Sequence, residues 1–382
     1  CRDAIATALD TLESVAPAAA EPGQRSDELI RQVRERADFE RIVNFYRYLL
    51  TKPRLKGRAL EQFRYVSRML HRLLLEPLAA ELSGKTDLIV LPDGMLGFIP
   101  FETLLDADSA YLAQRCAVRY SQSLSVLDNI AGRVWADDRL PLAAFGGAIY
   151  RPDSYAREMA AGDAQYREMR RAADPQRGTE GTAAAPWHNL PGTLVEVRMI
   201  RDAVDGSDIF TGDEVDESRI KRLSADGQLR RYRVVHFATH GQVDLARPEL
   251  SAVVLSQYDP PRGGEDGYLR VPEVAGLELN ADLVNLSACE TGLGKIYGGE
   301  GVVGLTQAFL LAGANGLSVS LWQVADESTM RFMVALYRLV RETGMPYPAA
   351  FAAIRRQFIS GEVGGGAYQN PYFWAPFVYY GQ

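Results

Sequence analysis

Val234-Val-His-Phe-Ala-Thr-His240-Gly241 and Asp282-Leu-Val-Asn-Leu-Ser-Ala-Cys289-Glu-Thr-Gly292 are built alike. Each opens on an apolar run of strand length and closes in small residues that suit a turn. The first delivers a histidine beside a glycine, the second a cysteine. Strands that are apolar on both faces belong in a parallel sheet covered by helices. Open sheets of that kind collect their chemistry at the carboxyl ends of the strands, where loops converge.

The rest of the chain extends this pattern. Further apolar runs fall at 87–91, 117–120, 142–145, 208–211, 250–255 and 316–322. Helix-like segments at 192–205, 216–225, 302–314 and 326–343 separate several of them. The alternation predicts an α/β fold with a mainly parallel central sheet flanked by helices. Asp87–Leu91 reads as a buried strand, followed by a Pro92-Asp-Gly94 turn. Ahead of it, apolar positions at helical spacing over 27–50 and 57–76, ended by Pro53 and Pro77, predict a helical hairpin. The expected organisation is a flexible leader over 1–25, a helical segment over 26–84 and a main domain over 85–382. Residues 151–187 are rich in Arg, Ala, Asp and Gly without an apolar period, and are expected to form a mobile insertion.

Composition excludes several classes. The 382 residues are 47% hydrophobic and 24% charged, which suits a globular chain with a large core. A net charge of −7 gives no default nucleic-acid partner. The basic stretch over 25–72 reads as the solvated face of amphipathic helices. No apolar run reaches membrane-spanning length. Cys1, Cys116 and Cys289 are too few and too odd for a disulfide framework, so a cytoplasmic location is expected. A start at Cys1 rather than Met suggests a piece of a longer polypeptide.

A thiolate beside a histidine that can return a proton to a leaving amine is the apparatus of cysteine proteolysis. Cys289 and His240, both at strand exits, are the candidates. Gly241 lets a backbone N–H come close to a substrate carbonyl, so the amides of Gly241 and Cys289 are candidate oxyanion donors. Other readings remain. Cys289 fits a buried structural thiol and His240 a hydrogen-bonded core histidine. His236 lies four residues before His240 and would share its strand face, so the two could chelate a metal with Cys289, although no fourth ligand is evident. Gly299-Glu-Gly301-Val-Val-Gly304 matches a dinucleotide fingerprint, but the preceding strand ends too early for the required tight turn. No nucleotide cofactor and no metal are expected.

Several blocks now fall in order: Leu88-Ile-Val-Leu-Pro-Asp-Gly94, Leu96-Gly-Phe-Ile-Pro-Phe-Glu102, Leu190-Pro-Gly192 with Glu196, His236–Gly241, Leu286–Gly292, Gly299-Glu-Gly301, Leu321-Trp322 with Asp326, and Trp374-Ala-Pro-Phe377. On these blocks the chain resembles the CHAT peptidases, bacterial relatives of caspases, separase and gingipains, over roughly residues 30–382. The resemblance implies a caspase-like fold, His240 rather than His236 as general base, Cys289 as nucleophile, and cleavage of protein substrates without a metal. It also implies regulation by an N-terminal sensor module or a partner protein; the alternative is a catalytically silent scaffold. Trp322 and Asp326 map to the loop that lines the specificity pocket in relatives. Met330 stands where separase-like enzymes carry an acid. Asp326 either binds a basic side chain or caps the following helix.

Overall fold

A computed structural model describes residues 36–171, 187–244, 246–287, 300–322 and 326–382. The leader expected over 1–25 and the segment carrying Cys289 lie outside the described residues.

Eleven strands are described: β1 Asp87–Val90, β2 Ala117–Tyr120, β3 Leu140–Gly146, β4 Asp208–Thr211, β5 Tyr232–Ala238, β6 His240–Gln242, β7 Ala252–Val254, β8 Tyr268–Arg270, β9 Leu283–Leu286, β10 Gly316–Ser320 and β11 Phe377–Gly381. Eight form one sheet in the order β1-β2-β11-β10-β9-β5-β3-β4, and β6-β7-β8 form a second, antiparallel sheet. Within the large sheet every pairing is parallel except β10 with β11. The fold is therefore α/β with a mainly parallel sheet, as the alternation of runs implies.

The longer helices are α1 Arg36–Leu50, α2 Gly57–Leu74, α3 Pro152–Arg171, α4 Pro191–Ala203, α5 Glu300–Leu311, α6 Asp326–Thr343 and α7 Tyr347–Ser360. Alternate residues of β5 serve opposite faces. His236 meets Tyr337 of α6, whereas Phe237 meets Phe309 of α5. Phe237 stacks on Phe145 of β3, which stacks on Phe210 of β4, at centroid distances of 5.2 and 4.7 Å. Such pairs add roughly 0.5–1.5 kcal/mol each beyond area burial.

The hairpin α1–α2 shares the hydrophobic core of the sheet. Its Ser67 donates to the Thr103 carbonyl at 2.8 Å, and Tyr46 Oη lies 2.7 Å from Thr103 Oγ1. These bonds join the hairpin to the segment after β1. Gly146 at the end of β3 is required by a close approach. A Cβ there would stand 2.7 Å from the Thr193 carbonyl oxygen and 2.6 Å from Val197 Cγ1, so only glycine admits α4 at this distance.

Three expectations differ from the fold. Asp87–Leu91 is not a buried strand: β1 lies at the sheet edge, and Ile89 and Leu91 are 36% and 43% exposed. An apolar run has the same composition at an edge as at the centre. The run at 250–255 belongs to the small sheet, because the chain leaves the large one after Ala238. The stretch 151–187 is helical in its first part. Met159, Gly162, Tyr166 and Met169 of α3 form a buried stripe at spacings of three and four. A stripe that narrow, interrupted by glycine and flanked by charge, leaves little periodic signal. Residues 172–186 lie outside the described residues. Among the described residues no helix is long and apolar enough to cross a membrane.

Candidate active site

β5 and β9 are hydrogen-bonded parallel neighbours with Phe237 opposite Leu286. The ladder continues one step further, where Ser287 N–H donates to the Phe237 carbonyl at 2.9 Å. His240 stands three residues beyond Phe237, and Cys289 three residues beyond Leu286. In sequence, the two candidate residues thus follow adjacent strands at the same offset. On the other side of β5 lies β3, and the strand order reverses between these two. That reversal is where open sheets form their crevice.

The His240 side chain is built in from three directions. It is 1% exposed. The Tyr150 ring meets its imidazole edge-on at 4.6 Å, with the rings of Trp187 at 4.9 Å and His188 at 5.0 Å. Nε2 lies 2.8 Å from the His188 carbonyl oxygen. A carbonyl only accepts, so Nε2 carries the proton in this bond. The neutral ring then presents Nδ1 as its basic nitrogen. Burial pushes the imidazole pKa down to about 4, only partly opposed by the hydrogen bond to His188.

The backbone at His240 is held by a side chain. His240 N–H donates to Tyr150 Oη at 3.0 Å, and Tyr150 Oη donates to the Val254 carbonyl at 2.9 Å. The phenol therefore sits between the polar groups of the facing pair His240 and Val254. On the far side of β7, Leu255 N–H donates to Gly267 and Val271 N–H to the Ser251 carbonyl. Odd-numbered residues of β7 thus bond to β8, and even-numbered ones face β6. Because backbone groups alternate along a strand, the Gly241 amide turns away from β7 toward the open edge of the small sheet.

Asn189 joins the two segments that frame the histidine. Its Oδ1 accepts from the N–H groups of Tyr150 and Arg151 at 2.9 and 3.0 Å, and its Nδ2 donates to the Arg151 carbonyl. Trp187 Nε1 donates to Tyr268 Oη at 2.8 Å and ties the same loop to β8.

His236 has a different environment. It is fully buried. Its Nδ1 lies 2.8 Å from Tyr337 Oη and 3.0 Å from Asn285 Nδ2, and its Nε2 lies 3.2 Å from Glu196 Oε1. Glu196 also accepts from Ser287 Oγ. Both ring nitrogens thus face protein groups, and the chain turns at Thr239, so His236 and His240 do not share one strand face. Among the described residues, the one cluster with metal-like spacing is Glu217, Glu265 and Glu273. The Lys221 ammonium sits among these carboxylates at 2.6–2.8 Å from each.

Cys289, including its backbone amide, lies outside the described residues. Trp322 is 4% exposed, and its Nε1 donates to the Tyr372 carbonyl at 3.1 Å. Asp326 is the first residue of α6, and its side chain lies outside the described residues. Met330, one turn on, is buried.

The residues absent from the sequence reading are Tyr150, Asn189 and the His188 backbone. The Gly146-Gly147 pair at the exit of β3 was the available signal for the first of them. His188 directly follows the stretch expected to be a mobile insertion, yet its carbonyl is the partner of His240.

Comparison with known proteins adds family information. The model of the CHAT domain matches residues 64–382. Over 224 residues, 51% of this chain, the sequence is 32% identical to human tetratricopeptide repeat protein 28, and the match takes in 8% of that protein. Among solved structures, the chain is similar to Saccharomyces cerevisiae separase in its complex with securin, with 13% identity and a TM-score of 0.43. That match covers 100% of this chain and 23% of the other. It is also similar to Porphyromonas gingivalis RgpB in the complex of its pro- and mature domains, with 10% identity and a TM-score of 0.45, over 91% of this chain and 77% of the other.

Proposed function

Because this chain belongs to the CHAT domain family, we propose that it is a cysteine endopeptidase that cleaves a protein substrate through His240 and Cys289. The observation that carries this reading is the register of β5 and β9, which gives His240 and Cys289 equal offsets beyond one bonded pair.

The Cys289 thiol gives its proton to Nδ1 of His240, whose Nε2–H is held by the His188 carbonyl. The thiolate adds to the scissile carbonyl carbon. The amide of Gly241 is turned to the open edge, and together with the amide of Cys289 it stabilises the oxyanion. The imidazolium returns its proton to the leaving amine, and an acyl-thioester remains. Water, deprotonated by the same imidazole, adds to the thioester carbonyl. Collapse of that adduct expels the thiolate, which recovers the proton.

His236 supports the site from below through Tyr337, Asn285 and Glu196. Trp322 and Asp326 are proposed to border the substrate. With its N–H taken by Tyr372, Trp322 can offer only its ring. We also assign the peptidase unit to 85–382, with a helical segment over 26–84 leading into or packing on it and a leader over 1–25, and regulation to an N-terminal module or a partner.

Labelling with an acyloxymethylketone tests this. Cys289→Ala and His240→Ala should each abolish the adduct and substrate cleavage, with melting temperature retained in the cysteine variant. An unmodified Cys289 in the folded wild type, with any known activator added, would favour the silent scaffold instead.

A further inference from the structure

A cavity of about 540 Å³ lies at the amino-terminal end of the sheet, opposite the exit of β5. Its walls are the starts of β3 and β5 and the carboxyl-terminal ends of α4 and α6. Nothing in the proposed proteolysis uses it.

Three guanidinium groups line it, from Arg139, Arg233 and Arg341, and one acid, Asp282. Arg139 is anchored. Its side chain is 6% exposed, and it bonds Asp282 at 2.9 Å and the carbonyls of Ala136 and Asn280. Arg233 and Arg341 differ. Each bonds one backbone carbonyl, but their acid partners stand 3.6–3.8 Å away, and two of these, Asp137 and Asp205, are almost wholly exposed. Long, exposed ion pairs of this kind are weak, so they leave most of the positive charge available.

The Tyr347 phenol faces the same charges. Its acidity is weakened by burial and by Asp282, and opposed by Arg233 and Arg139. It therefore stays protonated and can donate. Most of the remaining lining is apolar, Leu142 and Val340 among it.

A concave, mainly apolar site with a few converging donors is the form that small-molecule sites take. Unbalanced guanidinium groups select a carboxylate or phosphate. We propose that this cavity binds a small organic anion: an apolar ring or chain bearing one phosphate or carboxylate head. The head lies between Arg233 and Arg341 within reach of Tyr347, and the body lies on Leu142 and Val340. Tyr337 forms the inner wall, and its hydroxyl holds His236 at 2.8 Å. An occupant thus touches the polar chain that runs beneath the strand exits.

Calorimetric titration of the full chain tests the site without reference to peptidase activity. The probes are 1-naphthyl phosphate and 1-naphthoate, with 1-naphthol and inorganic phosphate as the separate halves. Saturable binding of at least one naphthyl anion is expected, about tenfold or more tighter than either half, and the ranking of the two identifies the head group. Arg233→Gln and Arg341→Gln should each weaken it about tenfold, as expected for loss of a charge-assisted hydrogen bond. Val340→Trp fills the cavity while keeping every charge, and should abolish it; melting curves of all three verify folding. Absence of saturable heat for both anions, or wild-type affinity in the two folded arginine variants, overturns the proposal.

Discussion

Replacing His240 with glutamine removes one titrating group and keeps a side chain of similar size, so it isolates what burial does to the imidazole. In the folded protein the pKa is pushed down to about 4 from the ordinary imidazole value of 6.5, first by burial. The unfolded chain takes up this proton readily and the folded chain resists it. Above about pH 6.5 neither state is protonated and the contribution is flat. As pH falls toward 4, the unfolded state binds the proton first, and stability is lost. At about 1.36 kcal/mol per unit, the whole displacement amounts to about 3 kcal/mol, most of it lost by about pH 4.5. Urea unfolding of wild type and His240→Gln across this range is the assay. The wild type's advantage over the variant should shrink by about 2–3 kcal/mol between neutral pH and about pH 4.5, with other titrating groups cancelling in the comparison. A pH-independent gap between the two proteins would refute the claim that the imidazole is buried and neutral. The same shift places the acid limb of any cleavage profile nearer pH 4 than 6.5.

Three other perturbations have defined outcomes. Tyr150→Phe leaves His240 N–H and the Val254 carbonyl without their bridging hydroxyl; it should cost about 1–3 kcal/mol in urea unfolding and slow cleavage, and an unchanged midpoint would contradict the bridge. His236→Ala strips partners from buried Tyr337 and Glu196, so it should cost about 2–5 kcal/mol while the folded fraction still labels at Cys289; a well-folded variant that no longer labels would transfer the base role away from His240. Gly146→Ala drives a methyl into the Thr193 carbonyl and Val197, and a loss of about 1–3 kcal/mol is expected; a wild-type midpoint would mean α4 moves freely on β3.

The parts of the fold legible in sequence were those with a local cause. β5 and β9 are mainly apolar runs, and α6 is an amphipathic segment observed at 326–343 as expected. β11 was not legible. Phe377–Gly381 is a short aromatic run at the chain end, and only its pairing with β10 and β2 makes it a central strand. β1 shows the converse: its composition is that of a buried strand, but its neighbours are on one side alone.

The site divides in the same way. His240 and Gly241 could be named from their run and its terminus, because a strand's exit is a local event. The partners of His240 are brought from elsewhere in the chain: Tyr150 stands 90 residues away and the His188 carbonyl 52. The chemical identity of a backbone carbonyl carries no sequence signal, and a tyrosine after β3 looks like any core aromatic.

The sequence by itself determined the fold class, the imidazole and thiol candidates and the strands that carry them, since apolar period and turn residues act within a few positions. Only the tertiary structure decided which nitrogen of His240 is basic, how far burial lowers its pKa, and which way the Gly241 amide points. Those properties depend on which distant groups exclude water and which supply hydrogen bonds, and sheet order alone brings them together.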